Sequence, residues 1–61
     1  MSVVIFDLRN ATRIRVDNVA QIETFQAKMS GRLVNVWGLL LEDGRSRVFP
    51  QRHYQIERIE K

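Results

Sequence analysis

Apolar positions along this chain alternate with polar ones more often than they recur at helical spacing, and alternation predicts strands. The first run, "VVIFDLRN" (3–10), is β-branched and aromatic, and after the turn at "NAT" comes "TRIRV" (12–16). In that second run Thr12, Ile14 and Val16 fall on one face, with Arg13 and Arg15 on the other. The two runs predict a hairpin. The central run, "RLVNVWGLLL" (32–41), ends at the turn "EDGR", with Asp43-Gly44 at its tip. "RSRVFP" (45–50) predicts the next strand, stopped by Pro50, which donates no ladder hydrogen bond. A short turn, "QRH", leads to "YQIERIE", where Tyr54 and Ile56 alternate with polar residues.

Two of these strands are apolar on both faces. In the central run Val34, Val36 and Leu40 face one way, and Leu33, Trp37, Leu39 and Leu41 face the other. In the first run Val3 and Ile5 oppose Val4, Phe6 and Leu8. A strand of this kind needs cover on both sides. A single domain of 61 residues fills one core rather than two. The second face is therefore expected to be covered by a helix, by barrel closure or by another copy of the chain. A twofold homodimer is preferred, and Val4, Phe6, Trp37, Leu39 and Leu41 are the expected oligomer or partner interface.

The stretch "DNVAQIETFQAKMSG" (17–31) reads two ways. As a helix, Asn18 is the N-cap, Gln21 completes a capping box and Gly31 is the terminator, with Val19, Ile22, Phe25 and Met29 on one face. As a strand, residues 22–28 form a polar edge and Ser30-Gly31 turns the chain back. The β-rich surroundings incline the reading to the strand. A short internal echo, "RIRV" then "NVAQIE" against "RSRV" then "QIERIE", is also what a duplicated hairpin would leave.

Charge adds one candidate function. Ten cations oppose seven acids for a net +3, and eight of the cations are Arg, which suits phosphate and carboxylate recognition better than Lys. Arg13, Arg15, Arg45 and Arg47 alternate with residues placed inward. Side by side, the two strands would form a four-Arg stripe, with Arg52 and Arg32 near it. Such a stripe neutralises phosphates of DNA or RNA in a salt-dependent way, and an exposed Phe49 would add a stacking platform. The same arginines equally serve as outward charges that keep strand edges soluble.

Catalytic chemistry finds no support. Without Cys, and with one His, the chain has neither a disulfide nor a structural metal site. Gly31, Gly38 and Gly44 are isolated, so there is no phosphate-cradling loop. No carboxylate pair has acid/base spacing, and Ser2, Ser30 and Ser46 have no base the sequence places beside them. His53 reads as a solvated turn residue. No catalytic residue, metal or cofactor is expected. The start does not read as a signal peptide, and no apolar run approaches the ~20 residues that span a bilayer, so a soluble, cytoplasmic protein without membrane contact is expected.

Residues 36–59, "VWGLLLEDGRSRVFPQRHYQIERI", resemble the closing half of SH3-like small barrels: Trp37, Asp43-Gly44, Phe49-Pro50 and Tyr54 stand in that group's order. The early aromatic run and acidic loop by which SH3 domains hold Pro-rich peptides are missing. Residues 46–50 are also similar to the Val-Gln-Ile-Tyr-Pro run of the plasmid-encoded type II dihydrofolate reductases, which are small oligomeric barrels. Arg47 stands where that family has the Gln amide, and Phe49 lacks the phenol hydroxyl. The resemblance implies the architecture without the chemistry. The fold class expected is mainly β, about five antiparallel strands in a meander or SH3-like roll, with α+β and a helix at 18–30 as the alternative. The function expected is a small non-enzymatic binding or accessory module, contacting nucleic-acid backbone or, alternatively, a protein through apolar faces around Trp37.

Overall fold

The computed structural model describes residues Met1–Lys61. Six strands follow in chain order: β1 Ser2–Asp7, β2 Thr12–Val16, β3 Val19–Met29, β4 Arg32–Leu41, β5 Ser46–Pro50 and β6 Tyr54–Glu60. They form two antiparallel three-stranded sheets, ordered β2-β1-β6 and β3-β4-β5. The molecule is thus mainly β and barrel-like, and it contains no helix, hence none long and apolar enough to cross a membrane.

The sheets are joined at a corner between β2 and β3, where Asn18 takes a left-handed φ of 59°. The Met1 amine donates to the Val19 carbonyl at 3.0 Å, Val19 N–H donates to Met1 O at 2.8 Å, and Glu42 N–H donates to Asn18 O at 2.9 Å. The corner therefore binds the chain start to both sheets. At the other end a turn at 51–53 carries the chain from β5 to β6, with Gln51 N–H donating to Asn35 O at 2.9 Å.

Within segment 17–31, Val19–Met29 is a strand, which removes the helical alternative. An N-cap holds β-region dihedrals, whereas Asn18 is left-handed. The helix-like spacing of Val19 and Ile22 has a different cause. A bulge between Val19 and Gln21 inserts one residue, so two apolar side chains three apart both reach the core. Gly31 is no helix terminator either. Ser30 and Gly31 have φ of 51° and 78°, both positive, as a two-residue hairpin turn of the primed type requires, and Met29 faces Arg32 across it.

The core lies between the sheets and comprises Val3, Ile5, Val16, Val19, Leu39 and Phe49, fringed by Ile14, Ile22, Trp37, Leu41, Tyr54 and Ile56. Packing of one sheet on the other thus covers one face of β1 and of β4. The opposite face of β1 is covered by arginines. Val4 lies between Arg15 and Arg58 in register and is buried, and Phe6 lies beside Arg13, whose guanidinium carbon is 5.1 Å from the ring centroid. Arginine stems are apolar enough to roof such residues while their heads stay in water. On the opposite face of β4, Val36 and Gly38 are buried, the glycine beneath the Phe25 ring, while Leu40 stays exposed.

Candidate interaction surfaces

Two surfaces compete for a functional role, one charged and one apolar. On β2, Arg13 Nε donates to Glu57 at 2.8 Å, while Arg15 reaches Asp17 at 3.0 Å and Glu60 at 2.8 Å. Arg45 Nε donates to Asp43 at 2.7 Å, and its backbone N–H binds the same carboxylate at 3.0 Å. Arg47 forms no ion pair; its guanidinium lies 5.1 Å from the Phe49 ring centroid. Arg52 forms none either and donates to His53 Nε2 at 3.2 Å.

The structure brings three of these five arginines together. Arg15, Arg45 and Arg47 share an open concavity of about 500 Å³ with Asp17, where the ends of β2 and β5 approach each other. Arg13 lies further along β2 over Phe6, and Arg52 sits in the turn after Pro50. The parity assigned to β5 also differs from expectation. Phe49 is buried in the core, so Arg47 shares its face and Val48 points outward. The larger apolar side chain has taken the inward position, and Phe49 offers no stacking platform.

Ion pairing leaves a mark on acid stability. Asp17 is held below its ordinary pKa by the Ser2 hydroxyl and by Arg15, Asp43 by the Arg45 backbone N–H and guanidinium, and Glu57 by Arg13. Asp7, the one buried carboxylate, is lowered by the Arg9 backbone N–H and then by its side chain. Carboxylates with folded pKa values below their unfolded ones add stability that is present above the unfolded value and lost as pH falls through the folded one. The thermal midpoint is therefore expected to be flat from neutral pH down to about 5 and to fall below about 4, where free Asp and Glu titrate. A midpoint that rises on acidification would contradict these pairings.

The apolar surface lies on the outer face of β3-β4-β5. Phe25, Leu40 and Val48 are 43%, 36% and 40% exposed there, around Gly38. The Phe25 ring lies over this glycine, with Cε1 2.5 Å from where a Cβ would stand. A central-strand glycine is thus covered by a neighbouring aromatic ring, as edge and barrel glycines often are. Between Phe25, Leu40, Val48, Glu23 and Ser46 remains a shallow concavity of about 220 Å³ floored by Gly38.

The five residues expected at an interface lie elsewhere. Leu39 belongs to the core and is fully buried, and Val4 is buried under arginine stems. Phe6 is half-buried beneath Arg13, Leu41 is half-buried at the rim of the basic concavity, and Trp37 is half-buried against the core. Trp37 Nε1 donates to the Tyr54 carbonyl at 3.0 Å, tying β4 to β6. Phe25, Leu40 and Val48 were signalled in the sequence only by parity: Leu40 opposes Leu39, and Val48 opposes Phe49. No three or more His, Cys, Asp or Glu side chains gather where they would hold a metal. Comparison with protein-family models, with curated proteins and with solved structures finds no match to this chain.

Proposed function

We propose that this chain is a non-enzymatic interaction module working through the outer face of β3-β4-β5, and that its partner there is a protein surface with an apolar centre and an acidic rim. The carrying observation is the exposed grouping of Phe25, Leu40 and Val48 around Gly38, in contrast to a β1 outer face roofed by arginines. Charge selects the partner. Lys28, Arg32, Arg47, Arg52 and Lys61 form no ion pair, while among the acids only Glu23 and Glu42 form none. The bent passage from β2 to β3 and the order Trp37, Gly44, Pro50, Tyr54 along β4 to β6 support the resemblance to SH3-like barrels, a group resembled in shape alone.

A second reading keeps contact with nucleic-acid backbone, favoured by the unpaired Arg47 and Arg52. Internal pairing of Arg13, Arg15 and Arg45 weighs against the larger stripe, because each phosphate contact would first have to displace a carboxylate. Photo-crosslinking in cells separates the two. A benzoylphenylalanine at Leu40 is expected to give protein adducts, and one at Arg52 none above background. Nucleic-acid adducts at position 52 with none to protein at position 40 would reverse the assignment.

A further inference from the structure

Three of the four sheet edges carry features that discourage pairing with another chain. β5 is five residues long, ends in Pro50 and bears Arg47. β2 is equally short, with Arg13 and Arg15 exposed on it. β6 carries Glu57, Arg58 and Glu60 and meets β1 through a bulge. Short length, charge, proline and bulges are the means by which edges are kept from pairing. The edge of β3 is different. Its bulge lies at the very start, and from Gln21 to Met29 it runs regularly beside β4, over roughly 30 Å. That stretch contains no Pro or Gly, its only charges are Glu23 and Lys28, and no strand pairs with its other flank.

The backbone along that flank follows from the turn. A two-residue hairpin makes Met29 and Arg32 a hydrogen-bonded pair, so alternation directs the N–H and C=O groups of Ala27, Phe25, Glu23 and Gln21 to β4. Those of Ile22, Thr24, Gln26 and Lys28 then point to the open side.

We infer that a second copy of this chain occupies this flank, with the two β3 strands antiparallel about a twofold axis at Phe25. The register follows from length. Phe25 is the midpoint of 21–29, so only a pairing that sets it opposite its own counterpart uses the whole edge. Thr24 then faces Gln26, Glu23 faces Ala27 and Ile22 faces Lys28, with no like charges opposed. This self-complementarity is what an isologous interface demands. Phe25 would sit in a pair without mutual hydrogen bonds, where side chains approach most closely. A copy fits better than a foreign peptide for a further reason. Only eight apolar residues are buried in the chain, there is no disulfide, and domains of this size usually gain stability from a staple or from assembly. The result is a six-stranded sheet in which the outer faces of both copies run together. Edge and face are separate surfaces that share Phe25 and Glu23 and are probed at different positions, so either assignment can fail without the other.

The absence of Cys makes engineered cysteines clean reporters. A mixture of Glu23→Cys and Ala27→Cys chains is expected to form a heterodimeric disulfide under mild oxidation. Each variant alone is expected to form little, since its own counterpart lies roughly 14 Å away along the strand. Thr24→Pro removes an N–H from the open flank and none from the β4 pairing. It is expected to lower the sedimenting mass from two chains to one while the strand circular dichroism persists. A wild-type chain that sediments as a monomer at every concentration overturns the inference. So does a dimer that cross-links through Leu40→Cys or Val48→Cys and not through the 23/27 mixture, an outcome that would leave the outer-face reading standing. Formation of the 23/27 disulfide with no protein adduct at position 40 supports edge pairing and removes the outer-face reading instead.

Discussion

Leu39→Ala is expected to leave much of the protein unfolded at room temperature, whereas Leu40→Ala, one residue along, changes stability little. Leu39 has no exposed surface and sits among Val3, Ile5, Val16, Val19 and Phe49 from four other strands. Truncating a buried leucine to alanine costs about 2–5 kcal/mol, the transfer of the lost carbons plus the cavity they leave. A 61-residue domain has only about 3–9 kcal/mol in all, at roughly 0.05–0.15 kcal/mol per residue. The loss is therefore comparable with the whole stability. Leu39→Asp would be worse, because an unpaired carboxylate would have to be buried. Leu40 lies on the opposite face and is already more than a third exposed, so its truncation removes little buried area. Urea unfolding followed by circular dichroism measures both. If Leu40→Ala proved the more damaging, the faces of β4 would be assigned the wrong way round.

The contrast also shows what kind of information the sequence held. Alternation in 12–16 and 32–41 located the strands and their two faces, because a period of two is a local property of the backbone. Which face becomes interior is not local. Leu39 and Leu40 are chemically identical, and only the closure of β4 over β1 separates them. The same limit inverted β5. Arg47 and Val48 looked outward and inward until Phe49 was seen to fill the core beside Trp37. In 17–31 the difficulty was the bulge after Val19, which gives a strand the apolar spacing of a helix. For the basic stripe the limit was of another kind. Sequence lists the arginines, but the carboxylates that neutralise Arg13 and Arg15 come partly from β6, more than forty residues away along the chain. The outer face was legible in principle, since Val34, Val36 and Leu40 were placed together. What was missing was that arginine stems roof β1, whereas on β4 Val36 and Gly38 are covered and Leu40 is left exposed.

Trp37→Ala is expected to cost several kcal/mol and to loosen β6 more than the rest of the molecule. The indole packs against the core from β4 and pairs across the sheet with Thr24 and Phe49. Its N–H is also the side-chain link from the second sheet to the Tyr54 backbone. Tyr54 in turn meets the Phe49 ring edge-on at 5.2 Å, and its hydroxyl accepts from Arg9 at 2.7 Å. Losing the indole therefore removes packing, leaves the Tyr54 carbonyl without its donor, and frees the corner through which β5 passes to β6. Truncations of this kind cost about 3–5 kcal/mol when the ring is fully buried; a half-buried ring belongs at the lower end. Trp37→Phe restores most of the packing and should cost about 1 kcal/mol for the missing hydrogen bond. Hydrogen exchange separates the two causes: both variants should speed exchange at the amides of Tyr54 and Ile56, and only the alanine variant should also expose those of Leu39 and Phe49. Were Trp37→Ala to retain full stability and lose a bound partner instead, the indole would be a ligand-stacking group and the protein surface would have to be redrawn around it.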